Sequence, residues 1–232
     1  MRTSWLALGP KSLVRLVTVI GLACVLPGCA STSQARSANV SGFLGDYSQL
    51  KPGADGEAQL LYLDPAAVLA TYNEILMDPI SVYTSAEDSG LSKVPEDELK
   101  SLLDYLDAAV REQLAGDYRF VNTAGPQTMR LRIALTEAKG AKVVLSAASS
   151  VTPVGLAMNG LKKAVTGAST GVGKTGVEME LLDAQSGKRL AAAVDERVGT
   201  KTSSFGEWQS AKEAFDFWAA RLKARLAEFR AK

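Results

Sequence analysis

From Met129 to Thr136 the chain alternates without a break, with Met129, Leu131, Ile133 and Leu135 on one phase and Arg130, Arg132, Ala134 and Thr136 on the other. Alternation of this kind sends successive side chains to opposite faces, so it predicts a β-strand with one buried and one wet face. A one-sided strand needs a cover, and two stretches have the pattern to supply it. The first opens at Pro95, with Glu96, Asp97 and Glu98 where the helix dipole favours carboxylates. Leu99, Leu102, Leu103, Leu106, Val110 and Leu114 then recur at three- and four-residue spacing, and Gly116 ends the stripe. The second carries Trp208, Ala211, Phe215, Trp218, Leu222, Leu226 and Phe229 on one face, and Ser204 and Glu207 stand at capping-box spacing ahead of it. Its aromatic stripe reads as core rather than as a cofactor site.

The remaining segments fill in a sheet. Gln59 to Leu63 and Tyr118 to Val121 are short strand candidates, and Asp64-Pro65 predicts a short helix through about Asn73. Ile75 to Tyr83 is rich in strand formers, although Pro79 places it at a sheet edge or breaks it. Val177, Met179 and Leu181 alternate with Glu178, Glu180 and Leu182, and Asp183 to Gly187 is a turn before the run from Lys188 to Val198. These last two form a hairpin. The fold predicted is α+β, an antiparallel or mixed sheet with two long amphipathic helices packed on one face.

The N-terminus carries a different kind of information. Arg2, Lys11 and Arg15 precede an uncharged run from Leu16 to Leu26, the layout of a secretory signal. The run is about half the 20 or so residues that a spanning helix needs. It ends in Leu26-Pro27-Gly28-Cys29, which resembles the bacterial lipobox, whereas Gly21-Leu22-Ala23-Cys24 lacks the aliphatic residue at minus three. Residues 1–28 are therefore expected to be a lipoprotein signal peptide and Cys29 the lipid attachment site, with the membrane as a partner through that anchor. Ala30 stands where inner-membrane retention would have Asp, which suggests the periplasmic face of the outer membrane. Residues 29–41, small and polar, read as a flexible tether reaching on the order of 20 Å, and 42–232 as a single periplasmic domain.

Processing leaves 204 of the 232 residues, enough for one well-buried domain. Three of the 26 basic residues and none of the 25 acidic ones leave with the signal, for a mature formal charge of −2. Near neutrality gives no electrostatic footprint for nucleic acid. Both cysteines lie within the first 29 residues, so the domain has no disulfide and rests on packing. The chain has no histidine, which removes the commonest general base and the usual zinc ligand; no metal or other cofactor is expected.

Ala168 to Thr175 fits a relaxed phosphate-loop pattern, but such a loop leaves a strand and enters a helix. Here Lys174 and Thr175 run into the alternating strand at Val177, so no nucleotide is expected. Asp104 and Asp107 stand a turn apart on the first long helix, where a solvated face explains them better than an acid/base pair. Residues 140–176 form a long Gly-, Ser- and Ala-rich connection, functional or disordered. Val154, Met158, Leu161 and Val165 stand at helical spacing within it, and Lys162 and Lys163 beside them could meet a membrane or a partner if a helix forms. Without histidine, a serine–lysine dyad among residues 146–175 is the familiar nucleophile left.

Ser41 to Ser48 (SGFLGDYS), Asp78 to Tyr83 (DPISVY), Gly125-Pro126 leading to Leu131–Thr136, and Glu178–Gly187 running to Asp195 together resemble the DUF3313 family of bacterial lipoproteins. The resemblance implies a lipidated envelope protein and supplies no catalytic residues. The function expected is an outer-membrane-anchored lipoprotein with a non-enzymatic binding or envelope-accessory domain that engages an envelope protein through residues 140–176. The alternative is a periplasmic hydrolase with a serine–lysine or carboxylate site, and a concave site would separate the two by being apolar or by gathering catalytic groups.

Overall fold

The computed structural model describes residues 32–35, 38–83, 89–140, 173–199 and 206–231. Its centre is a meander of three long strands, β7 (Thr128–Lys139), β8 (Lys174–Asp183) and β9 (Arg189–Gly199), paired antiparallel. Shorter strands extend it on both sides. β3 (Leu60–Leu63) pairs with β9, and β2 (Lys51–Pro52) with β3. Beyond β7 lie β4 (Glu74–Met77) and β5 (Ser81–Val82), both parallel to it, with β6 (Arg119–Phe120) parallel to β4. The sheet is mixed, and the fold is α+β as its sequence pattern predicts.

Parallel strands need a crossover, and α1 (Glu96–Leu114) supplies it between β5 and β6. The second helix, α2 (Gln209–Arg230), follows β9. The two run side by side in the same direction: Glu98 meets Trp208 at one end, Tyr105 meets Asp216 midway, and Asp117 just after α1 meets Arg230 at the other. Both helices cover the same face of the sheet, where Leu102, Leu106, Val110 and Leu114 of α1 and Phe215 and Leu226 of α2 are buried with Met129, Leu131 and Ile133. Burial of one such side chain contributes about 1.5–3 kcal/mol, so this layer is the main source of stability.

The other face differs from the sequence expectation. Arg130 is exposed, but Ala134, Thr136 and, past a bulge, Glu137 of β7 and Glu178 and Glu180 of β8 are buried. Residues 38–50 lie across this face and form a small second core, in which Leu44 packs with Ala192 and Val194 beside Tyr47, Leu50 and Tyr62. The pattern suggested water because the covered side chains are small or charged, and their charges are paired beneath the strap.

Nor does the domain begin at residue 42. Thr32–Gln34 forms β1, which pairs antiparallel with Arg197–Gly199 at the end of β9. The buried Arg197 fixes it, donating to Thr32 Oγ1 at 2.8 Å and to the Thr32 carbonyl at 2.7 Å while its guanidinium lies 3.6 Å from the centre of the Phe217 ring. Desolvation holds the pKa of Arg197 below the ordinary arginine value. Backbone pairing overrides the weak composition of this segment, so the expected tether over 29–41 gives way at Thr32.

Three smaller expectations also shift. Asp64 does not open an α-helix; its Oδ1 accepts from the Ala66 N–H at 3.0 Å in a tight turn, and only a 3-10 turn at Leu69–Thr71 follows. Pro79 divides the 75–83 stretch into β4 and β5. The second helix begins at Gln209 with no side-chain cap, and Ser204 of the expected capping box lies outside the described residues.

At the β8–β9 turn, hydrogen bonds from the Ser186 hydroxyl and then its backbone N–H hold the Asp183 carboxyl below its ordinary pKa. A hydrogen bond from Lys188 and then the Ala66 N–H do the same for Asp64. Burial and the hydrogen bond to Asp183 push the Tyr72 phenol up to about 12. Depressed carboxylates stabilise the fold fully above the unfolded value of about 3.9, and that contribution is lost as pH falls through the lower folded values. With no histidine to titrate, the melting temperature should be nearly flat from about pH 5 to 8 and should fall below about pH 4. In an Asp183→Asn variant part of that acid-side slope should vanish, as thermal melts across the range would show.

Candidate functional site

The polar side chains that could carry chemistry gather on the strap-covered face. Glu178 accepts from the Ser41 N–H at 2.5 Å and the Tyr47 hydroxyl at 2.6 Å. Burial, and next that hydrogen bond, raise the Tyr47 phenol above its ordinary value. Glu180 pairs with Arg132 and, at 3.1 Å, with Arg189, whose other nitrogens donate to the Leu44 and Asp46 carbonyls of the strap. Lys174 bridges Glu137 at 2.6 Å and Glu196 at 2.8 Å. Burial works against the Lys174 charge, but the two carboxylates outweigh it and hold the pKa above the ordinary lysine value. Each of these groups faces a partner within the protein, and together they fasten residues 38–50 to the sheet. Their arrangement is that of a clasp.

Lys174 and Thr175 thus lie in β8 rather than at the start of a helix, and the loop expected over 140–176 ends at Gly173. A Cβ on Gly173 would lie 2.2 Å from Ser210 Oγ, so the strand enters directly beneath α2. Asp104 pairs with Lys100 at 2.5 Å and Asp107 with Arg111 at 2.6 Å, pairs directed opposite ways along the outer face of α1. Cys29, Lys162, Lys163 and the serines of 146–170 lie outside the described residues.

An apolar concave feature is on the other side, between the C-terminal half of α2 and β3, β9 and β8. A cleft of about 100 Å³ is walled by Leu61, Leu131, Met179, Leu181, Ala191 and Ala193 from the sheet and by Trp218, Leu222, Leu226 and Phe229 from the helix. The Asp195 carboxylate at its inner wall is buried and fully engaged: Oδ2 accepts from Trp218 Nε1 at 2.7 Å, while Oδ1 accepts from Gln34 Nε2 at 2.7 Å and the Gln59 N–H at 3.3 Å. Arg225 at the edge pairs with Glu57 and, at 2.6 Å, with Glu228. Arg221, one turn earlier, has a buried Nε with no hydrogen-bond partner among the described residues. Sequence reasoning placed Trp218 in the core stripe and missed Asp195, Arg221 and Arg225. The available signal was Asp195 following the small Ala191 and Ala193 on the inward phase of β9.

Comparison with known proteins agrees with the resemblance noted above. The model of the family described as "Protein of unknown function (DUF3313)" matches residues 39–222. An uncharacterized lipoprotein, YdcL, of Escherichia coli K12 is 32% identical over 190 residues, covering 81% of this chain and 83% of its own. Among solved structures, the PelC dodecamer from Paraburkholderia phytofirmans aligns at 16% identity and a TM-score of 0.39, over 72% of this chain and 94% of its own. The lipoprotein GNA1162 from Neisseria meningitidis aligns at 12% identity and a TM-score of 0.33, over 67% and 99%. No helix among the described residues is long and apolar enough to cross a membrane. By the span of the family match and the identity to its Escherichia coli relative, this chain belongs to the DUF3313 family.

Proposed function

We propose that the protein is a lipoprotein acylated at Cys29 and held on the periplasmic face of the outer membrane, and that its domain is a non-enzymatic binding module. The lipobox-like Leu26-Pro27-Gly28-Cys29 and the lipoprotein relative support the anchor. The observation that carries the binding reading is the cleft beneath α2, whose wall is apolar and whose buried carboxylate is already saturated by Trp218, Gln34 and Gln59. A concave apolar surface with few polar groups is what a binding site offers.

The anchor and the domain are closely coupled in this reading. Two residues, Ala30 and Ser31, separate Cys29 from β1, so the three steps from Cys29 to Thr32 reach at most about 11 Å. Intact protein should fractionate with membranes, and a Cys29→Ala variant should leave them. In-cell crosslinking of both forms tests the module: a partner captured only by the lipidated form is expected. Membrane retention of the variant, or no lipid-dependent partner, counts against the proposal.

A further inference from the structure

Resting on the binding reading above, we propose that the cleft beneath α2 takes a single-chain fatty acid, its alkyl chain along the apolar walls and its carboxylate at Arg221. Size narrows the ligand first. About 100 Å³ is well below the roughly 300 Å³ at which pockets for drug-sized molecules begin, so the cleft itself holds only a stretch of one linear chain. The lining narrows it next. Leu131, Met179, Leu181, Leu222, Leu226 and Phe229 offer dispersion contacts and no hydrogen bonds to the chain. The buried polar group of the inner wall, Asp195, has its acceptors occupied by Trp218, Gln34 and Gln59.

Charge at the edge then selects the head group. Arg225 is neutralised by Glu57 and Glu228, whereas Arg221 has no carboxylate within ion-pair distance among the described residues, and its Nε is buried without a partner. A buried donor on a permanent cation is costly to leave unpaired, and a planar carboxylate is the group a guanidinium matches with two parallel hydrogen bonds. An apolar slot with one unpaired arginine beside it has the chemistry of a chain that ends in an anion.

The probe is laurate, kept below its micelle concentration and titrated into the intact protein, with dodecanol and lysophosphatidylglycerol as comparison ligands. Saturable binding of one laurate is expected, with a change in Trp218 emission that a Trp208→Phe background isolates. Dodecanol should bind about tenfold or more weakly, and Arg221→Ala should weaken laurate by a similar factor while the free variant still melts cooperatively. Lysophosphatidylglycerol binding more tightly than laurate would overturn the assignment of a carboxylate. Equal affinity for laurate and dodecanol, an unaffected Arg221→Ala variant, or no saturable binding would overturn the proposal. If laurate fails while crosslinking from a position beside the cleft captures a lipid-dependent protein partner, the ligand class is wrong and the module reading stands; if both fail, so does that reading.

Discussion

Phe215→Ala is expected to lower the unfolding free energy by about 3–5 kcal/mol, which at this chain length moves the melting temperature down by roughly 6–20 °C. Phe215 has no exposed surface, and its ring centre lies 6.3 Å from that of Tyr105 on α1 and 6.2 Å from that of Trp218 on α2. It sits where both helices meet the sheet, so truncation removes transfer energy and leaves a cavity that three elements would have to close together. Leu222→Ala, at a partly buried position on the cleft wall, should cost less. Urea titration decides it: the midpoint should fall with an unchanged slope. A loss below about 1 kcal/mol would mean that the helix pair does not close on the sheet as described.

Asp195→Ala should cost roughly 3 kcal/mol or more, because three donors lose their acceptor together and a buried charged hydrogen bond is individually worth about 1.5–3 kcal/mol. Asn should rescue little. Both carboxylate oxygens face N–H donors, so whichever way an amide is turned its NH2 meets a donor. A double-mutant cycle with Trp218→Phe should show coupling above about 1 kcal/mol, since one bond is deleted from both ends. Additive losses would show that Asp195 acts through packing alone. The same carboxylate links β9 to α2, β1 and the residue before β3, so hydrogen exchange in the variant should rise at Gln34 and Gln59 as well as along α2.

The helix layer was legible because its residues carry their own period. Leu102, Leu106, Val110 and Leu114 declare a buried stripe wherever the chain places them, and Met129 to Leu135 do the same for a strand. The strap was not legible, because its hold on the sheet is non-local. Glu178 meets Ser41 and Tyr47 more than 130 positions away, and nothing in the spacing of either segment announces the other. Composition misled at β1 for a related reason: Thr32-Ser33-Gln34 has little apolar surface, and its order comes from the β9 edge and from Arg197. At the cleft, the sequence showed a Trp and several leucines at helical spacing, the ordinary signature of core. The cleft is distinguished from a packed interface by the space left between the small Ala191 and Ala193 of the sheet and Leu222 and Leu226 of α2.

The grip of Arg197 on Thr32 fixes the slack in the leash. With a lipid on Cys29 as proposed, at most about 11 Å of backbone lies between bilayer and sheet, so the domain can swivel but cannot wander. Anything it captures within its own leaflet is met by a search in a plane, where confinement raises the effective concentration of even a scarce ligand. A partner rooted in the opposite membrane would have to come the whole distance itself.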